Sequence, residues 1–326
     1  NYPYPASMLA GKLMEASYKR MGDYLNVDES EIHFGPSTTQ NIYVLANAMR
    51  PMWEDGDEII VSCQDHEANA GAWRRLAARG IKIIEWHVHP ETGLLSLDEL
   101  DSLFSDRTKM VAYPHCSNVI GHINPVPEIS QKAHRHGALS VVDGVGYAPH
   151  GFPDLKDLGA DIYLFSLYKT FGPHLGLMYV KKSLIEKMEN QSHFFKEGIS
   201  RSMLTPAGPD HAQIAAASGI LDYFDLVYKH HFDVEATPAE RNKALNKLFQ
   251  EHEKTLLEGL LDFLRSRDDV KIIGPDSAEN RAPIVSIIPL HKDLKRVYAS
   301  LTGQKLMLGM GNFYAHRPLM DMDIPR

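Results

Sequence analysis

Cysteine is scarce in this chain: Cys63 and Cys116 are the two among 326 residues. That is too few for a disulfide framework or a thiolate metal site, so a reducing, cytoplasmic compartment is the expectation. Long apolar runs are absent too. No stretch reaches the roughly 20 residues that a membrane-spanning helix needs, and no signal peptide is expected at the start. Positive charge is neither dominant nor clustered: 34 Lys and Arg stand against 42 Asp and Glu, a formal net charge of −8. Such a balance lacks the concentrated basic patch that nucleic acid or an anionic membrane requires, which leaves a small molecule as the expected partner. Internal repeats and low-complexity tracts are missing. The chain starts at Asn1 without Met and stops at Arg326 after Asp-Ile-Pro, and it reads as a fragment of a longer polypeptide.

What is present is a rhythm. With 44% apolar residues the chain has an ordinary globular composition, and its length suits two domains. From about residue 58 short β-rich runs alternate with amphipathic stretches. Strands are expected at 58–63, 81–87, 109–113, 139–142, 161–165 and 177–180, with helices at 40–49, 68–79, 97–104 and 126–136. That order predicts an α/β fold with an open, mostly parallel sheet and helices on both faces. Beyond about residue 235 one long helical pattern, 238–267, precedes strands at 270–273 and 282–289 and a helix near 292–300. The division expected is a large domain over 1–235 and a smaller α+β domain over 236–326. Thr237-Pro238 reads as an N-cap followed by a proline in the first turn.

In open parallel sheets ligands bind beyond the carboxyl ends of the strands. Four such ends are polar here: Cys63 to Asn69, Pro114 to Asn118, Asp143-Gly144, and Ser166 to Lys169. Upstream, Ser37-Thr38-Thr39 precedes a helix and sets hydroxyls at a helix N-terminus suited to phosphate. A phosphate cradle, an acid, an imidazole, a carboxamide and a lysine on one sheet edge form the set that holds pyridoxal 5′-phosphate. Lys169 can form the Schiff base, its amine kept partly neutral by an apolar setting of Leu167, Tyr168 and Phe171. Asp143 can hold a proton on the pyridine nitrogen. His66 offers a flat ring for stacking, Asn118 a donor to the phenolate oxygen, and Ser166 joins Thr38 and Thr39 on the phosphate. Taken singly, these residues have ordinary roles as caps, turns or solvated side chains. Their grouping selects the chemistry.

At these positions the sequence resembles the fold-type I pyridoxal-phosphate enzymes of the class V aminotransferase and cysteine desulfurase group, particularly its cysteine desulfurase-like branch. The likeness runs through 31–35, 65–69, 117–125, 142–151 and 165–176, with Tyr147-Ala148-Pro149-His150-Gly151 and Tyr168-Lys169-Thr170-Phe171-Gly172-Pro173-His174-Leu175-Gly176 the most specific stretches. It implies a seven-stranded-type, mostly parallel sheet. It also implies Lys169, Asp143 and His66 as catalytic groups, and Asn118, Thr38, Thr39 and Ser166 as further cofactor contacts. A homodimer is implied as well.

Several departures accompany the likeness. Gly146 stands where many relatives carry His or Gln, Tyr168 where desulfurases carry His, and Ala207-Gly208 where a glycine-threonine pair is usual. The mobile loop that carries the desulfurase cysteine corresponds to 311–317, with Tyr314 in the cysteine's place. Cys63 and Cys116 read as packing residues. Transamination of a small amino acid is therefore the first expectation. Cysteine desulfuration or a C–S lyase-type elimination is the alternative, and a non-catalytic binding protein is the alternative of another class. Arg317 and Arg326, with Arg201 behind them, are the candidates for a substrate carboxylate. A dinucleotide enzyme lacks its Gly-x-Gly-x-x-Gly fingerprint. Seventeen histidines include the pairs His87/His89 and His134/His136, but no third and fourth ligand stands at a recognisable spacing, so no metal is expected.

Overall fold

The computed structural model describes residues 3–324. Seven strands form the main sheet: β1 (Ile32–Gly35), β2 (Glu58–Ser62), β3 (Lys82–Trp86), β4 (Thr108–Pro114), β5 (Leu139–Asp143), β6 (Ile162–Ser166) and β7 (Gly176–Val180), in the order β1-β7-β6-β5-β4-β2-β3. Strands β3, β2, β4, β5 and β6 pair in parallel, while β7 runs antiparallel to both β6 and β1. The α/β class and the mostly parallel sheet match the sequence reading.

The apolar runs follow from burial on both faces. Along β4, Met110 and Ala112 belong to one core and Val111 and Tyr113 to the other. Along β6, Ile162 and Leu164 join Met110, whereas Tyr163 and Phe165 join Tyr113. Successive side chains point to opposite faces, so each strand feeds two cores at once.

The helices are α1 (Pro5–Leu25), α2 (Thr38–Met49), α3 (Glu67–Arg74), α4 (Leu97–Leu103), α5 (Val126–Arg135), α6 (Leu155–Leu158), α7 (Lys182–Ile185), α8 (Ser200–Met203), α9 (His211–His231), α10 (Pro238–Arg265), α11 (Leu294–Gly303) and α12 (His316–Asp321). Thr237 and Glu240 form a reciprocal capping box at the start of α10, with Pro238 in its first turn. Strands β8 (Val270–Ile273) and β9 (Ser286–Pro289) make a separate antiparallel ribbon. A third core joins Ile273, Ala315 and Met322 to Val88 and Ile120. Among the described residues no helix is long and apolar enough to cross a membrane.

Three differences from the sequence reading have physical causes. The helix expected over 68–79 stops at Arg74 and continues as a 3-10 turn to Arg79, ended by Gly80 at φ +86°. The strand expected over 282–289 is confined to Ser286–Pro289, because Ala282 and Arg281 bond to the 121–122 loop instead. The short strand β1 and the long helices α1 and α9 were not foreseen. Helices α1 and α9 pack on each other and supply Tyr18, Leu25, Ile214 and Phe224 to the core around Tyr113.

Candidate active site

Parallel pairing brings the carboxyl ends of β2, β4, β5 and β6 to one edge. Asp65 and His66 follow β2, Cys116 and Asn118 follow β4, Asp143 closes β5, and Ser166 closes β6 just before Lys169. All of them line one cleft, together with Thr38 and Thr39 at the start of α2. A separate surface groove, lined by Gln131, His134, Arg135 and Asp157, contains none of these residues.

One end of the cleft is built for an anion. Ser37 caps α2, its Oγ accepting from the Gln40 N–H at 3.2 Å, and the Thr38 and Ser166 hydroxyls lie 2.7 Å apart in buried surroundings. A Cβ on Gly176 would sit 2.5 Å from both the Ser37 carbonyl carbon and the Thr38 nitrogen, so glycine there lets the helix N-terminus settle onto β7. Helix polarity and two hydroxyls then favour negative charge at the same point.

The same cleft carries two carboxylates. Asp143 is buried, and the Val145 N–H donates to its Oδ1 at 2.8 Å. Burial pushes its pKa up to about 6, opposed by that N–H and by the nearby Lys169 charge. Asp65, also buried, accepts from Asn69 Nδ2 at 2.6 Å and from the His66 N–H at 2.8 Å. Burial first, and Asp143 second, raise its pKa well above the carboxylate range. His66 caps α3, its Nδ1 accepting from the Ala68 N–H at 3.0 Å, which fixes the ring orientation. Burial and then Lys169 lower its pKa to about 4, so its ring is neutral at ordinary pH.

Lys169 corrects an expectation. It is solvent-exposed, as are Tyr168 and Phe171. The 3-10 turn Leu167–Lys169 sends Leu167 alone into the core, so the flanking aromatic residues do not enclose the amine.

Asn118 lines the cleft, but its Nδ2 donates to the Phe313 carbonyl at 2.9 Å, while its Oδ1 is buried without a partner. The segment carrying Phe313 thus lies against the site. Tyr314 places its ring 5.3 Å from that of His66 and accepts at its carbonyl from the Glu67 N–H at 2.8 Å. Phe313 and Tyr314 hold φ +50° and +60° in succession, a left-handed pair that bulky residues rarely adopt.

The arginine candidates are less well placed. Arg317 does not line the cleft; it pairs with Glu85 at 3.2 Å and Glu67 at 3.8 Å. Arg201 is bonded to Glu15 and Glu29 and lies over the Tyr18 ring. Arg326 lies outside the described residues. Cys63 and Cys116 are buried, and burial pushes both thiols up to about 12. Gly146 has a structural reason: a Cβ there would meet the Cys116 carbonyl oxygen at 2.4 Å.

Sequence reasoning assigned no role to Asp65 or to the layer behind Asp143. His115 is buried, stacks on Tyr147 with ring centroids 3.8 Å apart, and holds the Tyr163 hydroxyl at 2.8 Å through Nδ1. The Tyr163 ring occupies the space a Gly144 Cβ would need, 2.1 Å from it. The available signals were the position of Asp65 at a strand end and the glycine after Asp143.

As a donor set the cleft fits pyridoxal phosphate: an anion cradle, a buried carboxylate, an amine, and an imidazole fixed by its own helix. The model of the class-V aminotransferases matches residues 4–198. The chain belongs to this family. Within it, an aminotransferase-like protein of Gibberella zeae, FGM3, is 35% identical over 288 residues, covering 87% of this chain and 68% of that protein. A cysteine desulfurase-like protein of Aspergillus flavus, ustD, is 37% identical over 209 residues, covering 60% of this chain and 47% of that protein. The chain thus spans about half the length of that relative. The cysteine desulfurase of Thermococcus onnurineus shares the fold, with a TM-score of 0.84 at 21% identity, over 99% of this chain and 79% of that one.

Proposed function

We propose that the chain binds pyridoxal 5′-phosphate and transaminates a small amino acid. The observation that carries this reading is the presence of Lys169, Asp143, His66, Asn118, Thr38, Thr39 and Ser166 around one cleft. When bound, the cofactor supplies an aldehyde for the lysine and a conjugated ring that stabilises negative charge at the substrate's α-carbon.

The residues divide the remaining work. Thr38, Thr39, Ser166 and the start of α2 hold the phosphate. Asp143 keeps a proton on the pyridine nitrogen; the Lys169 charge and the Val145 N–H both favour its ionised form. The neutral His66 ring, fixed from behind by the Ala68 N–H, would stack on the cofactor ring. Asn118 binds the phenolate oxygen, for which its donor exchanges Phe313 for the cofactor. The Lys169 amine, when free, would serve as the base that takes the proton from the substrate α-carbon and as the acid that gives it back. Its exposure at the mouth lets that amine be reached by substrate.

Cysteine desulfuration is the competing reading, since several relatives are named cysteine desulfurases or desulfurase-like proteins. It needs a thiolate near the substrate sulfur, and the segment against His66 offers Tyr314 instead. Both thiols are buried and hard to ionise. Single amino acids assayed with and without a keto-acid acceptor separate the readings. Keto acid formed only with the acceptor supports transamination. Sulfide or pyruvate released without it overturns that choice. The same reading includes a homodimer, supported by the family resemblance and tested by light scattering on a sizing column. It also includes a cytoplasmic location, supported by two free, buried cysteines.

A further inference from the structure

Beside the cleft, β2 and β3 end as parallel neighbours, with Ser62 opposite Trp86, so Cys63 and His87 leave adjacent strand ends. The Cys63 N–H donates to the Trp86 carbonyl at 2.8 Å, which ties the two ends together. Glu85 and His87 share one face of the strand end by their i, i+2 spacing. The result is that Cys63 Sγ, a Glu85 carboxylate oxygen and a His87 ring nitrogen all lie within 4.8 Å of one another.

We propose that Cys63, Glu85 and His87 bind a divalent cation of the zinc class, with Asp321 as the outer partner of His87. This site is separate from the cleft and does not depend on the proposed transamination. Four observations carry it. First, thiolate, imidazole and carboxylate together form a zinc donor set, and the thiolate and imidazole do not suit Mg²⁺ or Ca²⁺, which take oxygen ligands. Second, His87 Nδ1 lies 3.0 Å from both oxygens of Asp321. An N–H there leaves Nε2 as the bare nitrogen, in the carboxylate–histidine–metal arrangement common at such centres.

Third, Glu85 divides its oxygens. Oε1 accepts from Arg74 Nε at 3.1 Å and Arg317 Nη1 at 3.2 Å, while Oε2 lies 3.6 Å from His87 Nε2. That separation is close to the edge of a tetrahedron with bonds of roughly 2.0–2.1 Å. Fourth, the charges leave room for a dication. The cations Arg74 and Arg317 pair with Glu85, and Arg317 also lies 3.8 Å from Glu67, while the carboxylate of Asp321 faces His87. A thiolate at Cys63 makes a fourth anion, so two negative charges remain. On binding, the Cys63 S–H proton leaves to solvent as the sulfur–metal bond forms, and no electron is transferred.

The consequence is a tether. Asp321 also accepts from the Val88 N–H at 3.1 Å, and α12, which carries it, follows the Phe313–Tyr314 segment that lies against His66 and Asn118. A cation at Cys63, Glu85 and His87 locks that helix to the sheet edge.

The test uses the full chain, stripped of metal by chelator and titrated with cobalt(II) alone, then with zinc alone in a calorimeter. The expected result is a sulfur-to-cobalt charge-transfer band in the near ultraviolet and tight binding of zinc. His87→Gln, at an exposed position that does not threaten folding, and Cys63→Ser should abolish the band, and Cys116→Ser should keep it. Asp321→Asn should weaken zinc about 10- to 100-fold. No band in the parent chain, a band that survives His87→Gln, or one that disappears with Cys116→Ser would overturn the proposal.

Discussion

The hydroxyls of Thr38 and Ser166 lie 2.7 Å apart although 128 residues separate them in the chain. One opens α2 and the other closes β6, and antiparallel β7 joins the two: Ser166 pairs with Gly176, and Gly176 is where the α2 N-terminus rests. The anion cradle is therefore a product of topology, with the cofactor's phosphate as its intended occupant in the reading given above.

Removing one hydroxyl tests that assignment. Ser166→Ala deletes a hydrogen bond to a charged group, worth about 1.5–3 kcal/mol. Pyridoxal phosphate should then bind about 10- to 100-fold more weakly, as read by quenching of tryptophan fluorescence. Unchanged affinity would remove Ser166 from the phosphate site.

Gly144 is required by its neighbour. An added methyl would sit 2.1 Å from the buried Tyr163 ring, which His115 holds in place. Gly144→Ala should destabilise the fold by about 1–3 kcal/mol in urea unfolding. It should also loosen Asp143 at the preceding position. Wild-type stability would show that Tyr163 can move aside.

Buried histidines make the fold acid-sensitive. Burial lowers the pKa of His115 to about 3 and of His33 to about 4, below the unfolded value near 6.5. The unfolded chain therefore binds more protons below pH 6.5. The stability these rings contribute is complete above that pH and is lost as pH falls towards 4. Asp143, whose pKa is raised, works in the opposite sense between about pH 4 and 6, so differences between variants are the useful quantity. His115→Gln should lose less urea-midpoint stability than wild type between pH 7 and 4.5. An identical loss would place the acid sensitivity elsewhere.

Much of this architecture was legible in the sequence for a physical reason. Strands β2 and β4 to β7 are covered on both faces, so they appear as apolar runs such as Ile59-Ile60-Val61 and Val141-Val142. Their polar ends named most of the site. What stayed hidden depends on partners distant in sequence. The short strand β1 includes His33 and Gly35 and has no alternation to find. The direction of β7 is invisible in composition. Asp65 owes its unusual environment to burial in the folded cleft and then to Asp143, which the chain brings near from a different strand end. The Cys63, Glu85 and His87 cluster draws on two strand ends, with α12 behind it. The exposure of Lys169 depends on which residue of a three-residue turn points inward, and Leu167 took that place.

The proposed function requires Lys169 to bond a pyridoxal phosphate whose ring nitrogen faces Asp143. Its most direct test is the absorbance spectrum of the purified chain with added pyridoxal phosphate. A visible band is expected, which borohydride abolishes by reducing the bond between the lysine nitrogen and the aldehyde carbon. Lys169→Ala should never show that band, and mass spectrometry of the reduced protein should find the added mass on Lys169. A colourless protein, or a label on any other lysine, would contradict the proposed function.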